Sequence, residues 1–231
     1  MTSRTALITG AGSGIGRAIA LALAADHDRL VLVGRREGPL HDTAAAIGHG
    51  TVLSADLATE AGRERVAAVA GQSLRTLVCS TGAFLRAPLA ATEAAAWAAL
   101  DLINVHAPML LVARCLPALR AEGGDVVVIN STAGLAAGAG TSAYTAGKHA
   151  LRAATDALRM ELRGQGIRVL SVFPGRTDTP MQVEVLAAED RTAPPGTLMG
   201  AEDVAAVVRA ALLLPRRAEV TDITLRPSVP F

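Results

Sequence analysis

Two residues near the middle of the chain have the types and the spacing for proton chemistry. Tyr144 is the only tyrosine of the 231 residues, and Lys148 is the only lysine. Four residues are about one helical turn, so both side chains would project from one face of a helix. An ammonium close to a phenol favours the phenolate and lowers the pKa of the phenol. The pair could therefore exchange a proton with a substrate oxygen, although a tyrosine and a lysine that merely share a helix face have the same spacing.

A glycine-rich loop near the amino terminus is typical of a dinucleotide phosphate site. Thr9–Gly16 joins a short apolar run to a helical pattern, and its order is T-G-x-x-x-G-x-G. Glycine allows positive φ and a close approach of backbone N–H groups to a pyrophosphate. The amino terminus of the following helix adds a partial positive charge. The candidate cofactor contacts in this loop are Gly10, Ser13, Gly14, Ile15 and Gly16.

The end of the second predicted strand favours NADP over NAD. A cofactor with a free ribose 2′-hydroxyl is usually bound by an Asp or Glu roughly 20 residues past the loop. The chain offers Arg35 and Arg36 there instead, and the planar guanidinium suits a 2′-phosphate. Both arginines could also be exposed loop residues. After the third strand, Asp56 could accept a hydrogen bond from an adenine amine beside Leu57, and helix capping explains this acid equally well.

Short apolar runs alternate with alanine-rich helical stretches, which predicts an α/β fold. We expect one doubly wound Rossmann domain over residues 1–231, with a seven-stranded parallel sheet flanked by helices on both faces. The stretch 181–199 contains two adjacent prolines and is expected to be partly helical and mobile. The predicted strands are Thr5–Thr9, Arg29–Val33, Thr51–Ser54, Thr76–Ser80, Asp125–Asn130, Arg168–Phe173 and Val220–Leu225. The predicted helices are Gly14–Ala25, Pro39–Ile47, Thr59–Ala70, Thr92–Leu119 (irregular at Pro108), Ser142–Arg163 and Ala201–Leu213.

Composition and charge argue against several classes of protein. A net charge of +1 gives no electrostatic reason to expect nucleic acid or an anionic membrane as a partner. Cys79 and Cys115 lie in apolar stretches and predict buried free thiols, and the scattered histidines indicate no metal site. No uninterrupted apolar run reaches the roughly 18–20 residues of a membrane span, and the first strand follows Met1 too closely for a signal peptide. We expect a cytoplasmic, soluble protein.

Five motifs, in order, resemble the classical short-chain dehydrogenase/reductase family over nearly the whole chain. Thr9–Gly16 matches its cofactor loop, and Tyr144–Lys148 matches its Tyr-x-x-x-Lys motif. Ser131 matches its catalytic serine, thirteen residues before the tyrosine (144 − 131). Asn104 matches the asparagine of its fourth long helix, and Pro174–Thr179 matches the proline-glycine segment after the sixth strand.

The resemblance implies a role for each of these residues. Tyr144 would be the general acid in reduction and the general base in oxidation. Lys148 would lower the pKa of the phenol and hydrogen-bond the nicotinamide ribose. Ser131 would steady the developing oxyanion, and Asn104 would anchor a water that relays protons to Lys148. Thr177 and Thr179 would contact the nicotinamide carboxamide or merely cap a helix. The other cofactor contacts implied are Gly82, Pro174 and Gly175.

One motif departs from the family pattern. The family usually has Asn-Asn-Ala-Gly after the fourth strand, where this chain has Cys79-Ser80-Thr81-Gly82. The missing amides would normally brace the centre of the sheet. We therefore expect the change to affect local stability more than chemistry.

The function implied is hydride transfer between NADP and a ketone, aldehyde or secondary alcohol, as in a carbonyl reductase or alcohol dehydrogenase. Three alternatives stay open: an NAD-linked dehydrogenase, a cofactor-sensing binding protein without turnover, and a sugar-nucleotide epimerase. The two longest helices resemble those of the family's dimer interface, so we expect a homodimer or homotetramer. His106 and Arg86 are further candidates for substrate contact. The predicted substrate walls, mostly apolar, are Phe84, Leu85, Leu135, Thr141, Met181, Val185 and Leu186.

Overall fold

Near-continuous runs of valine, leucine and isoleucine form the strands, as is usual for a parallel sheet covered on both faces. The computed structural model describes residues 4–229, and within them the strands form one sheet in the spatial order β3-β2-β1-β4-β5-β6-β7. The strands are β1 (Thr5–Thr9), β2 (Arg29–Gly34), β3 (Thr51–Ser54), β4 (Thr76–Cys79), β5 (Asp125–Ile129), β6 (Arg168–Pro174) and β7 (Asp222–Leu225). Every neighbouring pair is parallel. The chain adds β2 and β3 on one side of β1 and then β4 on the other side, so the strand order reverses at β1. In such sheets ligands bind at this reversal, outside the carboxyl ends of β1 and β4.

The helices cover both faces of the sheet, so the predicted doubly wound α/β fold is confirmed. They are α1 (Gly14–Leu23), α2 (Glu37–Ile47), α3 (Glu60–Ala70), α4 (Ala94–Asp101), α5 (Ala107–Glu122), α6 (Ser142–Leu162), α7 (Pro180–Ala188) and α8 (Ala201–Leu213). The predicted bounds agree for β1, β3 and α8 and differ elsewhere by a few residues. The largest difference is that the long helix predicted after β4 is divided into α4 and α5.

Two apolar clusters show how the helices are divided between the faces. Along β1, Leu7 points into a cluster with residues of α3, α5 and α6, whereas Ala6 and Ile8 point into a cluster with residues of α1, α2 and α8. Successive strand residues face opposite sides, so this alternation places a helical layer on each face. Cys79 and Cys115 are free, as predicted, and both are buried in the first cluster.

A π-helical turn joins α4 to α5 and carries Asn104. It spans Leu102–His106, and the N–H of Ala107 donates to the carbonyl of Leu102, five residues back. The sequence predicted an irregularity at Pro108, and the wide turn comes directly before that residue. A proline lacks an N–H and crowds the preceding turn of an α-helix. Single π-turns are often found at functional sites.

The continuous helix from 94 to 122 is the only one among the described residues that could span a membrane by length and composition. Its mean hydropathy reaches 1.5 over the most apolar window, and 44% of that window is buried. Helices that cover a sheet meet the same test. Leu111 and Leu119 of this helix are fully buried in the cluster that contains Leu7, so the observation is weak evidence for a membrane span.

The stretch predicted to be partly helical and mobile contains α7. Thr179 caps this helix, because its hydroxyl accepts from the N–H of Gln182 at 3.2 Å. The loop after α7 returns beside β6, where the N–H of Asp178 donates to the carbonyl of Met199 at 2.8 Å. The helix and its loop therefore start and finish together at the carboxyl edge of the sheet.

Candidate active site

The glycine loop forms one side of a first cavity of about 450 Å³ at the reversal of strand order. A Cβ atom on Gly16 would collide with the carbonyl of Gly10, and one on Gly10 would lie 2.8 Å from the carbonyl oxygen of Ser80. Larger residues would therefore fill the space between the loop and its neighbours. The other residues that line the cavity follow β2, β3 and β4 or lie on the helices, and they include Arg35, Arg36, Asp56, Leu57, Gly82, Tyr144 and Lys148.

Hydrogen bonds fix the loop and leave the start of α1 without a side-chain cap. The hydroxyl of Thr43 donates to the carbonyl of Ala11 at 3.0 Å, and the N–H of Ala11 donates to the carbonyl of Val33 at 3.1 Å. Ser13 occupies the N-cap position, but its side chain makes no capping hydrogen bond. The first N–H groups of α1 are thus directed to the cavity side of the loop, as a phosphate site requires.

The polar residues at the far end of this cavity lie where the sequence predicted them. Arg35 and Arg36 are exposed and line the cavity after β2. Asp56 is exposed, and its Oδ1 accepts from the N–H of Ala58 at 2.9 Å. The N-cap of α3 is Thr59, so helix capping does not explain Asp56. The remaining oxygen of Asp56 is left for the cavity.

Tyr144 lies in a wall shared by the first cavity and a second one. It is 8% exposed, and the ring of Phe84 packs edge-on against it with 5.1 Å between ring centroids. Lys148 is 5% exposed, lines the first cavity, and places Nζ 5.8 Å from the centre of the tyrosine ring. Ser131 lines the second cavity. The structure therefore brings the predicted Ser131, Tyr144 and Lys148 together.

Burial controls the protonation of the two central groups. It raises the pKa of Tyr144, and a hydrogen bond with Ser131 acts in the opposite direction to a smaller extent. Burial also lowers the pKa of Lys148 to about 8. We expected a net lowering of the pKa of Tyr144 by Lys148. In the protein alone the net direction is upward, because removal of the phenolate from water has the larger effect.

Asn104 lies behind the site and lines neither cavity. It is 1% exposed, its Oδ1 accepts from the N–H of Ala83 at 2.9 Å, and its Nδ2 donates to the carbonyl of Ala83 at 2.9 Å. A Cβ atom on Gly82 would lie 3.1 Å from this Oδ1 and 3.8 Å from Nζ of Lys148. Asn104 therefore braces the turn that faces Lys148, and its role in a proton relay stays a prediction.

Asn130 is a residue at this site that the sequence reasoning missed. It lies between β5 and Ser131, is 5% exposed, and lines both cavities. Its Nδ2 donates to the backbone carbonyl of Lys148 at 3.1 Å. Gly134 makes room for it, since a Cβ there would lie 2.7 Å from Oδ1. An amide at the end of a buried strand, directly before Ser131, was the only signal in the sequence.

The second cavity, of about 570 Å³, extends from Tyr144 to the segments after β5, β6 and β7. Pro174, Gly175 and Thr177, which were predicted to contact the cofactor, line this cavity, and Thr179 lines both. The hydroxyl of Thr177 donates to the carbonyl of Gly175 at 3.1 Å. Of the predicted walls, Phe84, Thr141, Met181 and Val185 line it, whereas Leu85, Leu135 and Leu186 do not.

The lining of the second cavity also includes charged residues and a glutamine, which the sequence reasoning did not predict. These are Arg176, Gln182, Glu189 and Arg226. Of the two further candidates for substrate contact, Arg86 does not line the cavity but lies beside Glu189, with 3.7 Å between Nη1 and Oε1. His106 is exposed and lines neither cavity. The expectation of mostly apolar walls is therefore correct for only part of the cavity.

Comparison with known proteins places this geometry in a family. Residues 4–190 match the family model described as short chain dehydrogenase. The match covers most of the chain and includes the glycine loop, Ser131, Tyr144 and Lys148. The chain belongs to the short-chain dehydrogenase/reductase family and is an oxidoreductase of that family.

The individual relatives agree with this assignment over nearly their full length. An uncharacterized oxidoreductase of Staphylococcus aureus is 28% identical over 98% of both chains. The crystal structure of levodione reductase superimposes with a TM-score of 0.88 at 26% identity, over 98% of this chain and 97% of that one. The crystal structure of a putative NAD(P) dependent gluconate 5-dehydrogenase from Beutenbergia cavernae, with bound NADP, superimposes with a TM-score of 0.86 at 30% identity. The superposition covers 98% of this chain and 96% of that one.

Proposed function

We propose that the protein is an NADP-dependent oxidoreductase that transfers hydride between the nicotinamide and a carbonyl or secondary alcohol carbon. The position of Tyr144 carries this proposal. Its side chain lies in the wall between a cavity that suits a dinucleotide and a cavity open to Ser131. A phenol in that wall can reach a substrate oxygen while the carbon beside it faces the cofactor.

The residues of the first cavity support NADP as the cofactor. The glycines leave room for a pyrophosphate at the start of α1, and Arg35 and Arg36 provide cations for a 2′-phosphate. The acid among the lining residues, Asp56, follows β3 and not β2. Asp56 is therefore a candidate contact for the adenine. It does not occupy the position after β2 where an acid would bind the free ribose 2′-hydroxyl of NAD.

The chain's own residues then supply the proton chemistry of carbonyl reduction. Bound NADPH supplies the hydride that forms the new C–H bond. Tyr144 donates its phenolic proton to the substrate oxygen as the carbonyl π bond breaks, so ketone, hydride and proton give the alcohol. Ser131 donates a hydrogen bond to the same oxygen and stabilises its developing negative charge. Lys148, protonated below a pKa of about 8, stabilises the phenolate that remains until a proton returns.

Two alternatives make different predictions. An NAD-linked dehydrogenase would use NADH at least as well as NADPH, and the arginines after β2 argue against it. A cofactor-sensing protein without turnover would have no need for a buried tyrosine between a serine and a lysine. Burial of Tyr144 and Lys148 opposes ionisation of both groups. The burial of protonated Lys148 is unfavourable for folding, and such burial is expected where the group has a chemical role.

The proposal is tested by mixing purified protein with NADPH or NADH and a panel of ketones and aldehydes. Loss of the reduced-nicotinamide absorbance is followed for each pair. We expect turnover of at least one carbonyl compound and a preference for NADPH of about tenfold or more, because one charge-assisted contact contributes that much. Equal use of NADH would refute the cofactor assignment. NADPH binding without turnover of any compound would favour the sensing protein.

We also propose that the protein assembles as a homodimer or homotetramer through α5 and α6. Leu110 of α5 is 41% exposed and Met160 of α6 is 66% exposed, which leaves apolar surface on both helices. A monomeric mass by light scattering at micromolar concentration would contradict this proposal.

A further inference from the structure

Four polar residues that line the second cavity have no part in the proposed hydride transfer and indicate what else the substrate carries: Arg176, Gln182, Glu189 and Arg226. Arg226 directly follows β7, where the parallel register pairs Leu225 with Pro174 of β6. The N–H of Gly175 donates to the carbonyl of Leu225 at 2.8 Å, and a Cβ on Gly175 would lie 3.5 Å from Cα of Arg226. The sheet itself therefore holds Arg226 at the edge of the cavity that contains Tyr144.

The carboxylate in the cavity lining is already compensated by arginines. Oε2 of Glu189 accepts from Nη2 of Arg176 at 2.8 Å, and its Oε1 lies 3.7 Å from Nη1 of Arg86. The Glu189 side chain is 15% exposed. Two guanidinium groups thus neutralise its charge, so that it does not repel an anion in the same cavity. No acid lies within ion-pair distance of Arg226 among residues 4–229, which leaves its positive charge at the rim.

Gln182 adds a buried hydrogen-bonding group to the same cavity. Its backbone lies in the first turn of α7, the residue is 8% exposed, and it lines the cavity. Its Nε2 is buried and donates to no acceptor among the described residues. Buried amides are nearly always paired in folded proteins. An acceptor atom on a bound molecule would complete this hydrogen bond.

We propose that Arg226 and Gln182 of the second cavity bind a carboxylate on the substrate, so that the preferred substrates are oxo acids or the matching hydroxy acids. The inference rests on the proposed function, because it names the substrate class of the same site. Arg226 has no acid within ion-pair distance among residues 4–229, and Gln182 has a free amide donor there. This cation and this donor match a group with one negative charge and two acceptor oxygens. The apolar side chains of Phe84, Met181 and Val185 line the rest of the cavity and suit the carbon skeleton between the carboxylate and the carbonyl.

Turnover of matched substrates tests the proposal. Short linear oxo acids and their methyl esters are compared with NADPH, using the natural protein, Arg226→Gln, and the control Arg217→Gln. Arg217 is exposed and lines neither cavity. We expect kcat/KM for the best acid to exceed that of its ester by about tenfold or more. Arg226→Gln should remove most of this preference by lowering kcat/KM for the acid, while its kcat/KM for the ester stays within about twofold of that of the natural protein. The control Arg217→Gln should keep both values within about twofold of those of the natural protein.

Failure of the carboxylate site can be distinguished from failure of the oxidoreductase proposal. Esters that are reduced as fast as the acids, or an Arg226→Gln variant that slows both equally, would refute the carboxylate site and leave the oxidoreductase proposal standing. If no carbonyl compound is reduced, the site is tested by titrating saturated fatty acids and their amides into the NADPH complex by calorimetry. Binding of acids that weakens in Arg226→Gln would support it, and equal binding of acids and amides would refute it. Gln182→Leu is a second variant, and it should weaken acid binding in the same direction.

Discussion

The two cavities are built from different parts of the chain and in different ways. Six glycines line the first cavity, together with other residues of the loops after β1, β2, β3 and β4. Two glycines line the second, which is bounded mainly by the segments after β5, β6 and β7. A cavity rich in glycines is defined by a short local motif, which suits the cofactor proposed above. A cavity with few glycines can change its side chains without disturbing the sheet, and this division separates the chemistry from the choice of substrate.

Tyr144 lines both cavities, so removal of its hydroxyl should separate cofactor binding from proton transfer most clearly. Tyr144→Phe keeps the ring that packs against Phe84 and removes only the proton donor. We expect kcat to fall by about a thousandfold, since general acid catalysis contributes between a hundred- and ten-thousandfold. NADPH affinity, measured by fluorescence titration, should stay within about twofold. A variant that turns over at a normal rate would overturn the assignment of Tyr144 as the acid.

Lys148 is the exception in the first cavity, because it is a buried charge among backbone groups. Its pKa is about 8 in the folded protein and near 10.4 in an unfolded chain. A shift of this size means that protonated Lys148 destabilises the cofactor-free fold by about 3 kcal/mol. Lys148→Met should therefore raise the free energy of unfolding by about that amount at pH 7, measured by urea denaturation, although the enzyme loses its activity.

The pH dependence of the difference in unfolding free energy between Lys148→Met and the natural protein identifies the cause of that difference. Burial favours the neutral amine, so the penalty is fully present below pH 8 and fades as the unfolded lysine also loses its proton near pH 10.4. The advantage of Lys148→Met should shrink between pH 8 and pH 10. Burial also raises the pKa of Cys79 and of Cys115, so ionisation of both thiols in the unfolded chain lowers the stability of every variant over the same pH range. Only the difference between Lys148→Met and the natural protein therefore reports on Lys148. A constant advantage would point to packing instead of charge.

A single methyl group tests whether the first cavity depends on its backbone. In Gly16→Ala, the new Cβ meets the carbonyl of Gly10, so the loop must move away from α1. Overpacking of this kind typically costs about 1–3 kcal/mol. NADPH affinity should fall by about tenfold or more in a fluorescence titration. Gly38→Ala is the matched control, since its Cβ meets nothing within 4 Å and the residue does not line the cavity. Equal affinities of the two variants would contradict the backbone description.

The same difference between the cavities explains how much could be predicted from the sequence. Ser131, Tyr144 and Lys148 have types and spacings that match a family motif, and the parallel sheet was predicted from alternating apolar runs. Gln182, Glu189 and Arg226 gave no such signal, because they line one cavity only after α7 and β7 are placed beside β6. A glutamate and an arginine in polar segments are normally read as exposed residues. Their shared cavity is a long-range property of the fold.

The π-turn shows a second limit of sequence reasoning. A helix broken near Pro108 was predicted, but the residue that benefits is Asn104, one turn earlier. The additional residue in a π-turn changes which side chains face the sheet. Periodicity counted at 3.6 residues per turn cannot register that change. The predicted helix therefore had the right extent and the wrong internal geometry.

Ser80 provides the smallest expected effect and tests the junction at the reversal of strand order. Its N–H donates to the hydroxyl of Thr9 at 3.0 Å, as does that of Thr81 at 3.2 Å, so backbone groups already tie β1 to β4. Ser80→Asn restores the amide that is usual in the family, and we expect the free energy of unfolding to rise by about 1 kcal/mol through one added hydrogen bond. Turnover should change by less than about twofold, because Ser80 is on the cofactor side and does not line the second cavity. A large change in turnover with an unchanged melting temperature would show that this position acts on the chemistry, and that the two cavities are less separate than their construction indicates.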